Sequence, residues 1–162
     1  MIKMIWCEDI HHGIAKNNKL PWHIKEEMLF FKNTTLNNIV VMGKNTWLSL
    51  NKKPLTDRIN YVLTKDKSLK SNNENLFIIN DFNDILNLKN KTTKDIYIIG
   101  GKQIYELFFN YADELIISKL VNDYQCDILL NYNLSDFKLI NEINKNSFKV
   151  EIYQRIRQYG NN

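Results

Sequence analysis

Short apolar runs, each followed by a stretch of helical length, set the strongest limit on how this chain folds. Ile39-Val40-Val41-Met42, Ile59–Leu63, Leu76–Ile79 and Ile96-Tyr97-Ile98-Ile99 are rich in Ile and Val, and an opening run covers residues 2–7. Such runs suit strands buried on both faces, as in a parallel sheet. The segments between them predict helices over residues 25–36, 44–50, 81–88 and 102 to about 110. Ile24, Met28 and Phe31 recur on one face of the first, and Asp81 stands where an N-cap would. Residues 8–23 are expected to form a long loop. Later the alternation stops. Glu114–Val121, Phe137–Asn144 and Phe148–Arg157 read as strands, the last two joined by a turn near Asn144-Lys145-Asn146. The expected fold is α/β. It has a mostly parallel central sheet, helices on both faces and a C-terminal antiparallel hairpin. At 162 residues, one domain over 1–162 is expected. The polar stretch Lys65–Asn75 reads as a surface loop.

Several function classes fall away. No stretch approaches the roughly 20 apolar residues that span a bilayer. The chain runs straight into a strand-like pattern, so no leader is expected and a cytoplasmic location follows by default. Cys7 and Cys126 are too few and too far apart for a disulfide framework or a zinc site, and no metal is suggested. A net charge of +4 favours small anions slightly and does not argue for nucleic acid. His11, His12 and His23 in the early loop read as solvent-facing or loop-packing residues.

Two strand-to-helix corners carry glycine: Val41-Met42-Gly43-Lys44-Asn45-Thr46 and Ile98-Ile99-Gly100-Gly101-Lys102-Gln103. A helix start just past a buried strand offers free N–H groups to an anion. Glycine lets a phosphate approach the backbone. Either corner alone reads more readily as a turn, and neither matches a P-loop or a Gly-x-Gly-x-x-Gly fingerprint. Two in one small sheet could hold the two phosphates of a dinucleotide. Glu27 lies beside Met28 and four residues before Phe31, at the edge of the apolar stripe of its helix. Pattern alone makes it an ordinary helix glutamate. Buried, it would be a perturbed acid of the kind that clusters at functional sites.

A set of motifs occurs in order. Leu20-Pro21-Trp22 is followed by Glu27, by Phe31-Lys32, and by Val41-Met42-Gly43-Lys44-x-Thr46-Trp47-x-Ser49. Arg58-x-Asn60 and Ile98-Ile99-Gly100-Gly101-x-x-Ile104-Tyr105 come next. This set resembles the dihydrofolate reductases over nearly the whole chain. The resemblance implies NADPH-dependent reduction of dihydrofolate; the chain's size and the absence of an evident apolar patch make a monomer the expectation.

It also implies roles. Glu27 would bind the pterin amino group and adjacent ring nitrogen, Ser118 would support Glu27, and Trp22 would hold a water nearby. Ile5, Met28, Phe31, Leu50, Leu55, Ile99 and Tyr105 would form the substrate pocket, Ile5 and Ile99 through their carbonyls. Arg58 would pair with the substrate's glutamate carboxylate. Main-chain groups of Cys7 and Ile14 would hold the nicotinamide, with Leu20 in the loop. Gly43, Lys44, Asn45, Thr46, Gly100, Gly101, Lys102, Gln103 and Ile104 would carry the cofactor's phosphates and flanks. Lys44, Asn45, Thr64 and Lys65 would surround its adenosine 2′-phosphate and so favour NADPH over NADH. Asp127 would steady the early loop. The chain departs from the family pattern at Ala15, where glycine is frequent, and before Arg58, where Pro-Gly is usual. A related pteridine or pyrimidine reductase, or a non-catalytic nucleotide-binding module, are the alternatives.

Overall fold

A computed structural model of the chain describes residues 1–157. Ten strands and four α-helices follow in order. They are β1 (Ile2–Glu8), β2 (Gly13–Ala15), α1 (Lys25–Thr35), β3 (Ile39–Gly43), α2 (Lys44–Ser49), β4 (Ile59–Leu63), β5 (Leu76–Ile79), α3 (Asn83–Leu88), β6 (Ile96–Gly100), α4 (Lys102–Phe108), β7 (Glu114–Leu120), β8 (Ile128–Leu129), β9 (Phe137–Asn144) and β10 (Phe148–Arg155). A 3₁₀ turn, Phe109–Tyr111, closes α4.

Eight strands form one sheet in the order β5-β4-β3-β6-β1-β7-β10-β9, in which only β10 runs against the rest. This is the mostly parallel sheet with a terminal hairpin that the apolar runs predict. Successive side chains alternate between the two faces. Met4, Val41, Ile98 and Leu115 join a core with Ile85 and Phe108, below α3 and α4. Ile5, Val40, Met42 and Ile116 join a second core with Trp22, Phe31 and Trp47, below α1 and α2. Both faces are covered, so the runs have no polar side.

The structure corrects the expected elements in four places. The early loop contains β2, which pairs antiparallel with β8 in a separate small sheet. Three-residue and two-residue strands are too short to show a period. Next, α3 begins at Asn83, not Asp81. The Asp81 carboxylate still accepts the Asn83 N–H at 2.9 Å, from one position before the cap residue, Phe82. The last strand ends at Arg155, and its final two expected residues leave the ladder. Finally, α1 turns Met28 and Leu29 outward, 49% and 48% exposed, while Glu27 is 8% exposed. Of the expected stripe, Met28 faces the cleft, while Ile24 and Phe31 pack against the second core.

Topology places that cleft. From β3 the chain proceeds to β4 and β5 on one side of the sheet, and from β6 to β7 on the other. Open sheets bind ligands where connections diverge in this way, at the carboxyl ends of the strands. Here β3 and β6 are neighbours, with Met42 opposite Gly100, so both glycine corners meet at the divergence.

Candidate active site

The site begins as a split in the sheet. Parallel pairing of β1 with β6 runs from Ile2–Ile96 to Met4–Ile98 and ends there. The β3–β6 register slips between Val41 and Met42, so Ile99 has no partner on β3. Ile5 and Ile99 therefore stand on the wall of an opening where β1 and β6 part, Ile5 keeping its pairing with Ile116 of β7. Around it lies a cavity of about 1580 Å³. It reaches from Arg58 and α1 at one end to Thr64 and Lys65 at the other.

Every residue expected to bind substrate or cofactor lies on this wall. Ile5, Glu27, Met28, Phe31, Leu50, Leu55, Arg58, Ile99 and Tyr105 line one part. Cys7, Ile14, Leu20, Gly43, Lys44, Asn45, Thr46, Thr64, Lys65, Gly100, Gly101, Lys102, Gln103 and Ile104 line the other. Trp22 and Ser118 are not on the wall; Ser118 lies beside Glu27. The sequence reading missed Leu29 and Lys32 on α1, Leu63 at the end of β4, and Phe82 and Ile128 on the far rim. Leu29 and Lys32 had a usable signal, because they continue the face of Lys25 and Met28 at helical spacing.

Among the cavity's carboxylates Glu27 is the buried one; Asp81 and Asp127 are exposed. Burial pushes the Glu27 carboxyl above the ordinary range, and the Ser118 hydroxyl beside it offsets part of that. Ser118 Oγ approaches without reaching hydrogen-bond geometry and has no partner. Trp22 Nε1 is likewise buried without one, its ring packed edge-on to Tyr124 at 5.3 Å. Ser118 Oγ, orphaned beside the raised acid, is a buried polar atom that a ligand or a water would satisfy.

Arg58 is 7% exposed. Its Nε donates to the Thr56 carbonyl at 2.9 Å and its Nη1 to Thr35 Oγ1 at 3.1 Å. Thr35 in turn donates to the Phe31 carbonyl at 2.9 Å, so α1 aims the guanidinium. Asn60 fixes the loop before it, accepting from Leu55 N–H at 2.9 Å and donating to the Leu55 and Arg58 carbonyls at 3.0 Å. Asp57 adopts φ +58°, the left-handed conformation that a glycine before Arg58 would otherwise supply. The departure from the family pattern is thus absorbed by the backbone. Burial pulls the guanidinium down from its ordinary value and Asp57 offsets this. One edge of the fork is tethered, which leaves Nη2 for a carboxylate.

At the other end the glycine corners differ. A side chain at Gly43 would meet Ile104 Cγ1 at 2.8 Å, so Gly43 serves close packing between β3 and α4. Gly100 has φ +120°, and its peptide bond to Gly101 is cis. At Gly101 a Cβ would find nothing nearer than Thr46 Oγ1 at 3.7 Å, which leaves an open cradle between the starts of α2 and α4. That opening fits a diphosphate held by backbone N–H groups. Lys44 is less free than its position in the sequence suggests. Its Nζ donates to Asp66 Oδ2 at 2.7 Å, which holds that carboxyl well below its usual range. Lys65 is exposed, with no acidic partner among the described residues.

Tyr105 reaches the site indirectly, donating its hydroxyl to the Ile5 carbonyl at 2.8 Å. Asp127 accepts the Asn17 N–H at 3.0 Å, and its own N–H donates to the Ala15 carbonyl at 3.1 Å, so it does tie the early loop. Among the described residues no helix is long and apolar enough to cross a membrane.

A family model described as "Dihydrofolate reductase" matches residues 1–159. The dihydrofolate reductase of Ureaplasma parvum is 41% identical, over 98% of this chain and 99% of its own length. A Mycoplasmoides gallisepticum protein named "Segregation and condensation protein A" is 45% identical over 96% of this chain, which spans only 26% of that protein's length. A solved structure titled as Enterococcus faecalis dihydrofolate reductase complexed with NADP(H) and RAB-propyl superposes with TM-score 0.90 over 96% of each chain, at 24% identity. On these matches the chain belongs to the dihydrofolate reductase family.

Proposed function

We propose that this chain reduces dihydrofolate to tetrahydrofolate at the expense of NADPH, for one-carbon metabolism, with residues 1–162 acting as one monomeric unit. The observation that carries the reading is Glu27, a buried carboxyl raised by its surroundings, beside the gap between β1 and β6. The cradle at Gly101 and the helix starts at Lys44 and Lys102 fit the cofactor's diphosphate. Thr64, Asn45 and Lys65 would face the 2′-phosphate. Because Lys44 is shared with Asp66, Lys65 supplies most of the cationic preference for NADPH over NADH. NADPH, when bound, supplies the hydride.

The residues of the chain do the rest. Glu27 accepts hydrogen bonds from the pterin's amino group and ring nitrogen, which makes protonation of the reacting ring easier. Ser118 Oγ, buried and free, steadies the ionised carboxylate. Trp22 Nε1 holds the water through which a proton moves. Ile5 and Ile99 offer carbonyls, and the Tyr105 hydroxyl already bonded to Ile5 fixes one of them. Met28, Phe31, Leu50 and Leu55 pack the aminobenzoyl ring, and Arg58 pairs end-on with the tail carboxylate. The protein aligns two rings and tunes one protonation, and the cofactor carries the difficult chemistry.

Absorbance decay of NADPH with dihydrofolate tests this. The wild type should turn over, with NADH giving a clearly lower kcat/KM. Glu27→Gln should lose on the order of a hundredfold in kcat/KM at neutral pH. A fully active Glu27→Gln enzyme would refute the assignment.

A further inference from the structure

A second buried carboxylate lies outside the cavity. Glu8, the last residue of β1, is 2% exposed. It accepts from Trp6 Nε1 at 2.9 Å, from the Tyr132 hydroxyl at 2.7 Å, and contacts the His12 imidazole at Nδ1. Burying a carboxylate is costly unless donors satisfy it, and three do so here. None of these contacts is needed to hold the pterin. They join three parts of the chain instead: the end of β1, the corner before β2, and the segment after β8.

The rings close around Glu8 as a cage. Tyr132 packs edge-on to Trp6 and to His12, each at 5.2 Å, and Trp6 packs on Tyr105 at 5.7 Å. His12 has φ +64°, and its carbonyl accepts the Leu130 N–H at 2.9 Å. The next three residues are β2, of which Ile14 and Ala15 form cavity wall. There is no slack after His12. A Cβ on Gly13 would lie 2.4 Å from Cys126 Cβ, and Asp9 accepts the Gly13 N–H at 2.8 Å. A shift at His12 must therefore move the wall.

We propose that Glu8 is a positioning residue for the reaction, and that its contact with His12 sets how firmly Gly13–Ala15 closes over NADPH. This rests on the reductase reading above. His12 is half exposed while Glu8 is enclosed, so solvent reaches the pair through the imidazole. An imidazolium gives the buried carboxylate a full counter-charge. A neutral imidazole gives it one hydrogen bond at most. The other titratable groups facing Glu8 are Tyr132, Tyr153 and Cys7, with Glu151 beyond Tyr153. Burial pushes both phenols up, Tyr153 to about 12, and the Cys7 thiol up as well. Glu151 is held low by Lys119, despite burial. Closure is firm while the imidazole holds the Glu8 carboxylate and loosens when that contact is lost.

The test uses the full chain, with His12→Asn and Glu8→Gln. Asn keeps the left-handed backbone at position 12 and removes the imidazole. At pH 6, His12→Asn should raise the KM for NADPH about fivefold with no fall in kcat, and Glu8→Gln should raise it by as much. Amide exchange at Gly13–Ala15, measured without cofactor, should be about tenfold faster in His12→Asn at pH 6. If Glu8→Gln does not fold, the half-exposed position 12 still decides. Wild-type KM and exchange in His12→Asn at pH 6 would overturn the proposal. Absence of any NADPH consumption by the wild type would instead sink the reductase reading, and the exchange arm would still score the contact.

Discussion

Glu27 costs the free protein stability, because burial raises its carboxyl above the ordinary range. The folded state then binds a proton more readily than the unfolded chain. Stability falls as pH rises from the unfolded value through the folded one, and the deficit persists above it. Glu27→Gln removes the ionisation. It should melt higher than the wild type at pH 8, and the difference should shrink as pH falls below the ordinary carboxylate range. Thermal melts of the ligand-free proteins check this, and an equal difference at both ends would contradict it. Ser118→Ala should deepen the wild-type deficit at pH 8, since the hydroxyl beside Glu27 partly offsets the burial. Helical spacing placed Glu27 only at the edge of a stripe, and the ordered motifs raised it to a binding acid. Its burial was illegible in that spacing, because Cys7 of β1 and Ser118 of β7 come beside it from distant parts of the chain. Glu8 was wholly illegible, for Tyr132 comes from 124 residues away.

Glycine corners were the most legible elements, since backbone N–H groups and a missing Cβ act locally. The structure divides their work. Gly100 serves the backbone: its φ of +120° strains any L side chain, and a Cβ would press on the Tyr105 ring at 3.2 Å. Gly101 has open space where a Cβ would go. Gly100→Ala should therefore lose about 1–3 kcal/mol of stability. Gly101→Ala should stay within about 0.5 kcal/mol of the wild type. It should nonetheless raise the KM for NADPH about tenfold, by filling the cradle. Urea unfolding with steady-state kinetics separates the two, and equal destabilisation by both would contradict the division. The elements that went unread, β2 and β8, pair only with each other and carry Ile14 and Ala15 to the cavity. A strand of two or three residues has no period to read; its partner defines it.

On the scale of the molecule, the cavity joins two ends that share few residues. Arg58, Glu27 and the α1 face hold one, and the glycine corners with Thr64 and Lys65 hold the other. The mostly parallel sheet was legible from its apolar runs, whereas the split between β1 and β6 depends on where pairing stops, which composition does not record. If the two ends act separately, their ligands should stabilise separately. NADPH at about a hundred times its Kd should add about 2.7 kcal/mol to the wild type and nearly as much to Glu27→Gln. A diaminopyrimidine antifolate should bind as a cation, its ring paired with the Glu27 carboxylate. Opposite charges favour each other's ionised forms, so its increment depends on that one anion. Glu27→Gln should lose most of the drug's increment in melting temperature at pH 7 and keep the cofactor's. Loss of both increments together would mean that the two ends open and close as one, and the cavity would then have to be treated as a single binding unit.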